Sequence, residues 1–173
     1  RCGMKISFVI PAYNEEDYIG PCIESVLREK KTAPCDIEII VVNNASHDRT
    51  GEIARHYPEV TVVEEPKKGL VWARRAGFLA SHGDLIANVD ADTRLTKGRI
   101  ETVAREFSGH KKLVALSGTF MYYDVSFFSN VMVALYYRYA LVLYFITRFI
   151  LRTSSMLQGG NFIIRRDALT AIG

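Results

Sequence analysis

A chain of 173 residues is long enough to bury one sizeable core, and no Pro/Gly/Ser-rich or single-charge stretch divides it, so one domain over residues 1–173 is expected. Hydrophobic residues make up 49%, a globular proportion that argues against a disordered chain and against one embedded wholly in a membrane. The formal net charge of +3, with no arginine-rich run or interleaved aromatic platform, argues against a nucleic-acid partner and fits weak attraction to anions or lipid headgroups.

Cys2, Cys22 and Cys35 are an odd set without CxxC spacing, which points away from a disulfide framework or a zinc site and towards a reducing, cytoplasmic compartment. Only Arg1-Cys2-Gly3 precedes Met4, which leaves no room there for a signal peptide, and these three residues can be a remnant added before the natural start.

Lys5 to Ile10 is an apolar run closed by Pro11, whose missing N–H is expected to end a central strand. From Asn14 the pattern turns helical: Tyr18, Ile19, Cys22, Ile23, Val26 and Leu27 recur at helix spacing, with Asn14, Glu15, Glu16 and Asp17 at the positive helix start. Ile37 to Val42 is a second strand, and after Asn43-Asn44-Ala45-Ser46 a helix is expected near Asp48. Val60 to Val63 follows as strand, Gly69 to Ser81 as helix, Leu85 to Val89 as strand, Thr96 to Phe107 as helix and Leu113 to Ser117 as strand. Alternating strands and helices imply a doubly wound, mostly parallel α/β sheet that places ligands beyond the carboxyl ends of its strands.

Three of those ends carry chemistry. Asp90 and Asp92 follow the fourth strand at i and i+2, so a continuing extended backbone would project both carboxylates to one face, about 6–7 Å apart. Mg²⁺ or Mn²⁺ takes one or two protein carboxylates and completes its shell with water and phosphate, which suits an open acidic pair. A plain polar turn is the alternative. In the loop after strand one, Pro11, Ala12, Tyr13, Asn14 and Glu15 offer a ring for stacking and acceptors for a base or ribose, or else a helix cap; no glycine-rich phosphate loop is present. Asn43 and Asn44 offer amides that can read a pyrimidine edge or form an Asx-turn. Arg74 and Arg75, after Lys67 and Lys68, gather cations where an anionic donor could be drawn in, although a solvated helix face also explains Lys67, Lys68 and Arg75. His47, His56, His82 and His110 lack metal-ligand spacing and suit surface or capping roles.

Pro-Ala-Tyr-Asn-Glu-Glu at 11–16, Val-Val-Asn-Asn-Ala-Ser-His-Asp-Arg-Thr at 41–50, Ala-Arg-Arg-Ala-Gly at 73–77, Val-Asp-Ala-Asp-Thr at 89–93 and Gly-Gly-Asn-Phe-Ile-Ile-Arg-Arg at 159–166 together resemble a family 2 inverting glycosyltransferase of the GT-A fold. The motifs stand in the family's order and cover nearly the whole chain. The resemblance implies a Rossmann-like sheet, a UDP-, GDP- or dTDP-linked sugar as donor, and hexosyl transfer to a glycan or lipid-linked acceptor. It also implies that Pro11 to Glu15 and the Asn43-Asn44 loop hold the nucleoside, that Arg74 approaches the nucleotide, and that Asp90 approaches the ribose or donor sugar. Asp92 would bind the metal together with Asp90, and Gln158, Gly159, Gly160 and Asn161 would shape the acceptor side.

Two departures qualify it. Many members carry Asp-Asp where this chain has Asn43-Asn44, and the second position usually reads the base, which weakens uridine specificity. The family's catalytic base is a carboxylate downstream of the Gly-Gly segment, and here Asp167 is the only carboxylate after Gly159 and reads better as a helix cap. The chain as given is therefore expected to lack its base and to be inactive or nearly so. Two rivals are a sugar-phosphate nucleotidyltransferase, disfavoured by the Pro11 to Glu16 loop, and a non-catalytic nucleotide-binding or membrane-interaction module.

An apolar helical segment near 125–152 adds a last feature. Val131 to Leu151 exceeds the roughly 20 residues that span a bilayer, yet holds Arg138 and Arg148, with Arg152 beyond. At about 100° per residue these three fall within an arc of about 80°, joined by Asn130. An arginine near the bilayer centre costs at least about 2.5–3.5 kcal/mol, so a helix on the inner membrane surface fits better than a lone span. A buried or homo-oligomer-forming helix is the alternative.

Overall fold

The computed structural model describes residues 3–118, 127–150 and 160–171. Two units separate, Arg1–Leu116 with Gly159–Gly173, and Ser117–Gln158. In the first, strand and helix alternate as β1 (Lys5–Ala12), α1 (Ile19–Lys30), β2 (Asp36–Asn43), α2 (Thr50–Arg55), β3 (Val60–Glu64), α3 (Leu70–Ala80), β4 (Leu85–Val89) and α4 (Arg99–Gly109). The second holds β5's last residue and α5 (Phe127–Phe145); β5 itself is Ala115–Ser117, and β6 (Asn161–Arg165) and α6 (Arg166–Ala171) return to the first. The sheet order is β3-β2-β1-β4-β6-β5. β1 pairs in parallel with β2 and β4, β2 with β3, and β6 runs antiparallel to β4.

Period-two alternation sorts the strand side chains onto two buried faces. Ile6, Phe8, Ile10, Ile39, Val41 and Ala87 pack with Ile23 and Val26 of α1 and Val103 and Phe107 of α4. Val9, Ile40, Val42 and Ile86 pack on the other face with Ala73 of α3. Contact there is close: a Cβ on Gly77 would stand 2.3 Å from Val9 Cγ1, so only glycine lets α3 approach the sheet this far.

The expected α/β architecture is present, and several boundaries differ for identifiable reasons. β1 runs through Pro11 to Ala12, paired with β2 to its end, while β4 pairs with it only up to Val9, so on that side the missing N–H of Pro11 removes no ladder bond. α1 starts at Ile19 instead of Asn14, because Asn14 has φ +54° and Glu15 O closes a turn with the N–H groups of Tyr18 and Ile19. α2 starts at Thr50 after Asp48, and α4 at Arg99 after Gly98 with φ +78°. Strand β6 was not expected; its partner β4 lies more than seventy residues earlier, beyond any local pattern.

The long apolar segment is present as α5 followed by a π-helical turn, Ile146–Ile150. By length and composition Val131–Ile150 could cross a membrane, and none of it is buried. A π turn holds more residues than an α turn, so the 80° arc does not carry through to Arg148. Arg152 and the side chain of Asn130 lie outside the described residues.

The α3–β4 turn is anchored at the amino ends of the strands. Glu38 accepts from the Ser7 hydroxyl, from His82 N at 2.8 Å and from Lys5 Nζ at 3.3 Å, Gly83 N donates to Ser7 Oγ at 2.7 Å, and Arg166 Nε donates to Gly83 O at 2.7 Å. A Cβ on Gly83 would lie 2.6 Å from Ser7 N, so the turn admits only glycine. Burial alone would raise the Glu38 carboxyl, but bonds from Ser7, His82 and Lys5 hold it down to about 2, below the ordinary 4.5. A carboxyl depressed in the folded state adds stability that is complete above its unfolded pKa and fades as pH falls through the folded value. Glu38→Gln is expected to lower stability by roughly 2–3 kcal/mol at neutral pH, with the gap to the wild type closing between about pH 5 and pH 2, read by urea unfolding.

Candidate functional site

The carboxyl ends of β1, β2 and β4 open into a cleft of ≈ 370 Å³. Pro11, Ala12, Tyr13 and Glu15 line it from β1 and its loop, Asn44 from the loop after β2, Lys68, Gly69, Leu70 and Ala73 from the start of α3, and Asp90, Ala91 and Asp92 from the turn after β4. The position is the one that parallel topology dictates.

Asp90 and Asp92 do not sit on a continuing strand. Thr93 N donates to Asp90 O at 2.9 Å, which closes a turn, and Ala91 is buried against the core while Asp92 is exposed. Asp90 N donates to Gly160 O at 3.3 Å, so β6 enters the sheet immediately beside the acidic turn. Arg74 Nη2 stands 3.5 Å from Asp90 Oδ1, with its guanidinium 5.5 Å over the Phe162 ring.

The loops after β1 and β2 are stitched together. Asn14 N donates to Ser46 Oγ at 3.1 Å and His47 N donates to Asn14 Oδ1 at 2.9 Å; Glu15 N donates to Thr50 Oγ1 at 2.8 Å, and Glu16 N to Asp48 Oδ2 at 3.1 Å. Asn14 and Ala45 both hold positive φ, +54° and +57°, a conformation that cross-loop bonding sustains. Asn14 therefore braces Tyr13 and Glu15 from outside the cleft.

Asn44 is buried and its amide is fully engaged. Its Nδ2 donates to Glu65 O at 3.0 Å and Lys67 O at 2.8 Å, and its Oδ1 accepts from Gly69 N at 2.7 Å. Asn43 Nδ2 donates to Glu64 Oε2 at 2.8 Å. Asn44 thus grips the β3–α3 connection with both ends of its amide, whereas Asn43 holds Glu64 at the end of β3 and its buried Oδ1 has no hydrogen-bond partner among the described residues. The held segment carries Lys68, whose Nζ lies 3.9 Å over the Tyr13 ring and donates to its hydroxyl at 2.6 Å. Lys67 lies 3.4 Å over Trp72.

Three carboxylates crowd this edge. Glu15 is raised by burial and then by Asp92, Asp48 and Asp90; Asp90 is raised by burial, with Arg74 pulling it down and Asp92 pushing it up. Beneath them Cys22 is pushed up to about 12 by burial and the same acids, and its thiol donates to Asp90 O at 3.8 Å. Such mutual repulsion is what a bound cation relieves.

Of the residues singled out in the sequence, Pro11, Ala12, Tyr13, Glu15, Asn44, Asp90 and Asp92 meet in the cleft, with Arg74 behind Asp90. Asn14 and Asn43 support from outside. Gly160 and Asn161 lie beside the acidic turn, whereas Gln158 and Gly159 fall outside the described residues. Lys68 lines the cleft from the cation cluster that the sequence also allows as a solvated face, while Gly69, Leu70 and Ala73 line it with no role expected from the sequence; the bonds from Asn44 to Glu65, Lys67 and Gly69 hold that segment at the cleft.

Comparison with known proteins gives the family and the fold. The sequence matches Glycosyl transferase family 2 over residues 7–173. It is 36% identical over 105 residues to the uncharacterized glycosyltransferase EpsJ of Bacillus subtilis, covering 58% of this chain and 30% of that protein. It is 40% identical over 96 residues to the dolichyl-phosphate beta-glucosyltransferase ALG5C of Trichomonas vaginalis, covering 50% and 28%. Among solved structures, the mannosyltransferase PcManGT of Pyrobaculum calidifontis, in complex with GDP-Man and Mn²⁺, superposes with a TM-score of 0.71 at 20% identity, covering 99% of this chain and 47% of that one. The chain thus spans less than two thirds of each of these proteins. With the match running from Ser7 to the last residue and the sheet built as in GT-A enzymes, the chain belongs to glycosyl transferase family 2.

Proposed function

We propose that this chain forms the donor half of a metal-dependent, inverting transfer of a hexosyl group from a nucleoside-diphosphate sugar to an acceptor hydroxyl. The observation that carries the reading is the convergence of Glu15, Asp90 and Asp92 on one cleft beside Tyr13, Lys68 and Arg74. Among the described residues no group of three ligands forms a closed metal site. The acidic turn instead suits Mg²⁺ or Mn²⁺ held by Asp92, with Asp90 beside it, and completed by diphosphate oxygens. Such an ion would neutralise charge on the leaving diphosphate. PcManGT, with GDP-Man and Mn²⁺, supports the reading by likeness of fold.

The roles of this chain's own residues follow from their places. Tyr13 and the backbone of Pro11 and Ala12 form the wall for the nucleoside, and Lys68 and the first turn of α3 offer positive charge to the phosphates. Arg74 fixes Asp90 for the ribose or donor sugar. Gly160 and Asn161, with Gln158 and Gly159, define the acceptor side. Inversion requires the acceptor oxygen to attack the anomeric carbon opposite the departing diphosphate while a base takes its proton. Asp167 Oδ1 accepts from Ala168 N at 2.7 Å within α6, so we assign no base among the described residues. The acceptor we place at the cytoplasmic face of a membrane as a lipid-linked or envelope glycan, a choice supported by the dolichyl-phosphate relative and by exposed α5.

Calorimetry with UDP-, GDP- and dTDP-sugars, with and without Mn²⁺, tests donor and metal together. Asp92→Ala should weaken Mn²⁺-linked donor affinity by about tenfold or more, the loss of one charge-assisted contact; unchanged affinity would remove the metal from Asp92. Asn44→Ala should loosen residues 65–69 and weaken all three donors by a similar factor, whereas a loss confined to one base would make Asn44 the base reader. The 173-residue chain should bind donor without sustained transfer, and transfer abolished by Asp167→Asn would identify Asp167 as the base after all.

A further inference from the structure

Residues 125–166 contain no aspartate or glutamate, while Arg138, Arg148, Arg152, Arg165 and Arg166 fall within them. In α5 and its π turn, Leu135, Tyr136, Leu141, Phe145, Phe149 and Ile150 are 51–73% exposed. Apolar groups in such number on one element require a cover. A second copy of this segment would enclose Arg138 and Arg148 with no carboxylate of its own to meet them, and a buried guanidinium without a partner is strongly unfavourable. An anionic leaflet meets both requirements, with phosphates for the guanidiniums and an acyl boundary for the apolar side chains. Tyr136, Tyr137, Tyr139 and Tyr144 suit the headgroup level.

Connectivity then decides between lying on the bilayer and crossing it. β5 ends at Ser117 and β6 begins at Asn161, and the two are neighbours in one sheet. A helix crossing from Val131 to Ile150 would leave residues 151–160 to return through a hydrocarbon core about 30 Å thick. Ten residues reach that far only if almost fully extended, at about 3.3–3.6 Å each. They would then carry unpaired backbone groups through lipid, which membranes do not tolerate. Resting on the membrane setting proposed for the acceptor, we propose that residues 127–150 dock in the plane of an anionic phospholipid leaflet, Arg138 and Arg148 on headgroup phosphates, with both ends of the segment on the same side.

The 173-residue chain is tested by co-sedimentation with phosphatidylcholine vesicles and with vesicles that also contain phosphatidylglycerol, while calorimetry follows donor affinity in solution. Binding should favour the anionic vesicles and weaken with salt. The pair Arg138→Gln and Arg148→Gln should lower that binding about 30-fold, near fivefold per charge, and Leu141→Asp with Phe149→Asp should abolish it, all with donor affinity unchanged. A membrane-impermeant thiol reagent outside sealed vesicles should reach both Ser126→Cys and Thr153→Cys, made separately in a chain that also carries Cys2→Ser and Cys35→Ser so that native thiols do not react. Binding to neither vesicle, equal binding to both, labelling of one flank alone, or a solution dimer through α5 that ignores vesicles would each overturn the proposal. Donor affinity that survives such a result would leave the donor reading standing, whereas loss of donor affinity with vesicle binding intact would remove that reading and keep the anchor.

Discussion

Parallel pairing of β1 with both β2 and β4 forces the chain to leave all three strands at one edge. Everything chemical in the molecule depends on that constraint. Tyr13 and Glu15, Asn44, and Asp90 and Asp92 come from segments far apart in sequence, and no local interaction could gather them. The buried hydrophobic ladders on both faces fix the register, since a slip of one residue would turn Ile6, Phe8 and Ile10 from one layer to the other.

Gathering acids at one edge is unfavourable in itself, and the surrounding structure supplies the offset. Glu15 and Asp90 are both shifted towards protonation by burial and by one another's neighbours, with Arg74 opposing at Asp90. The loops that carry them are held by backbone-to-side-chain bonds, from Asn14 to Ser46 and His47, from Asp48 to Glu16 and Thr50, and from Asn44 to residues 65–69. Rigidity of this kind keeps the repulsion aimed at the cleft instead of letting it disperse into solvent.

Element types were legible because each rests on local periodicity: β4 agrees with its expected span, and the other strands and helices of residues 5–117 differ only at their ends. The ends moved where a positive φ, as at Asn14 and Gly98, or an Asx-turn, as at Asp48, overrode the hydrophobic pattern. The acidic turn, Tyr13 and Arg74 could be named from motif order. The work of Asn44 could not: an amide has the same composition whether it meets a base or a backbone, and only the fold shows residues 65–69 beside it. Lys68 reads in the sequence equally as a donor-facing or a solvated cation, since its partner Tyr13 is fifty-five positions away. Antiparallel β6 escaped because its pairing depends on β4, not on its own five residues.

The adjacency of β5 and β6 has a consequence for how such chains diversify. The excursion between them departs from and rejoins the sheet at neighbouring points, so its ends are already closed, and the entropic penalty of a longer excursion grows only with the logarithm of its length. Evolution can therefore exchange, extend or trim that stretch as a cassette while the edge that carries the cleft keeps its geometry. A single α/β platform can in this way be fitted to many different surroundings without being rebuilt.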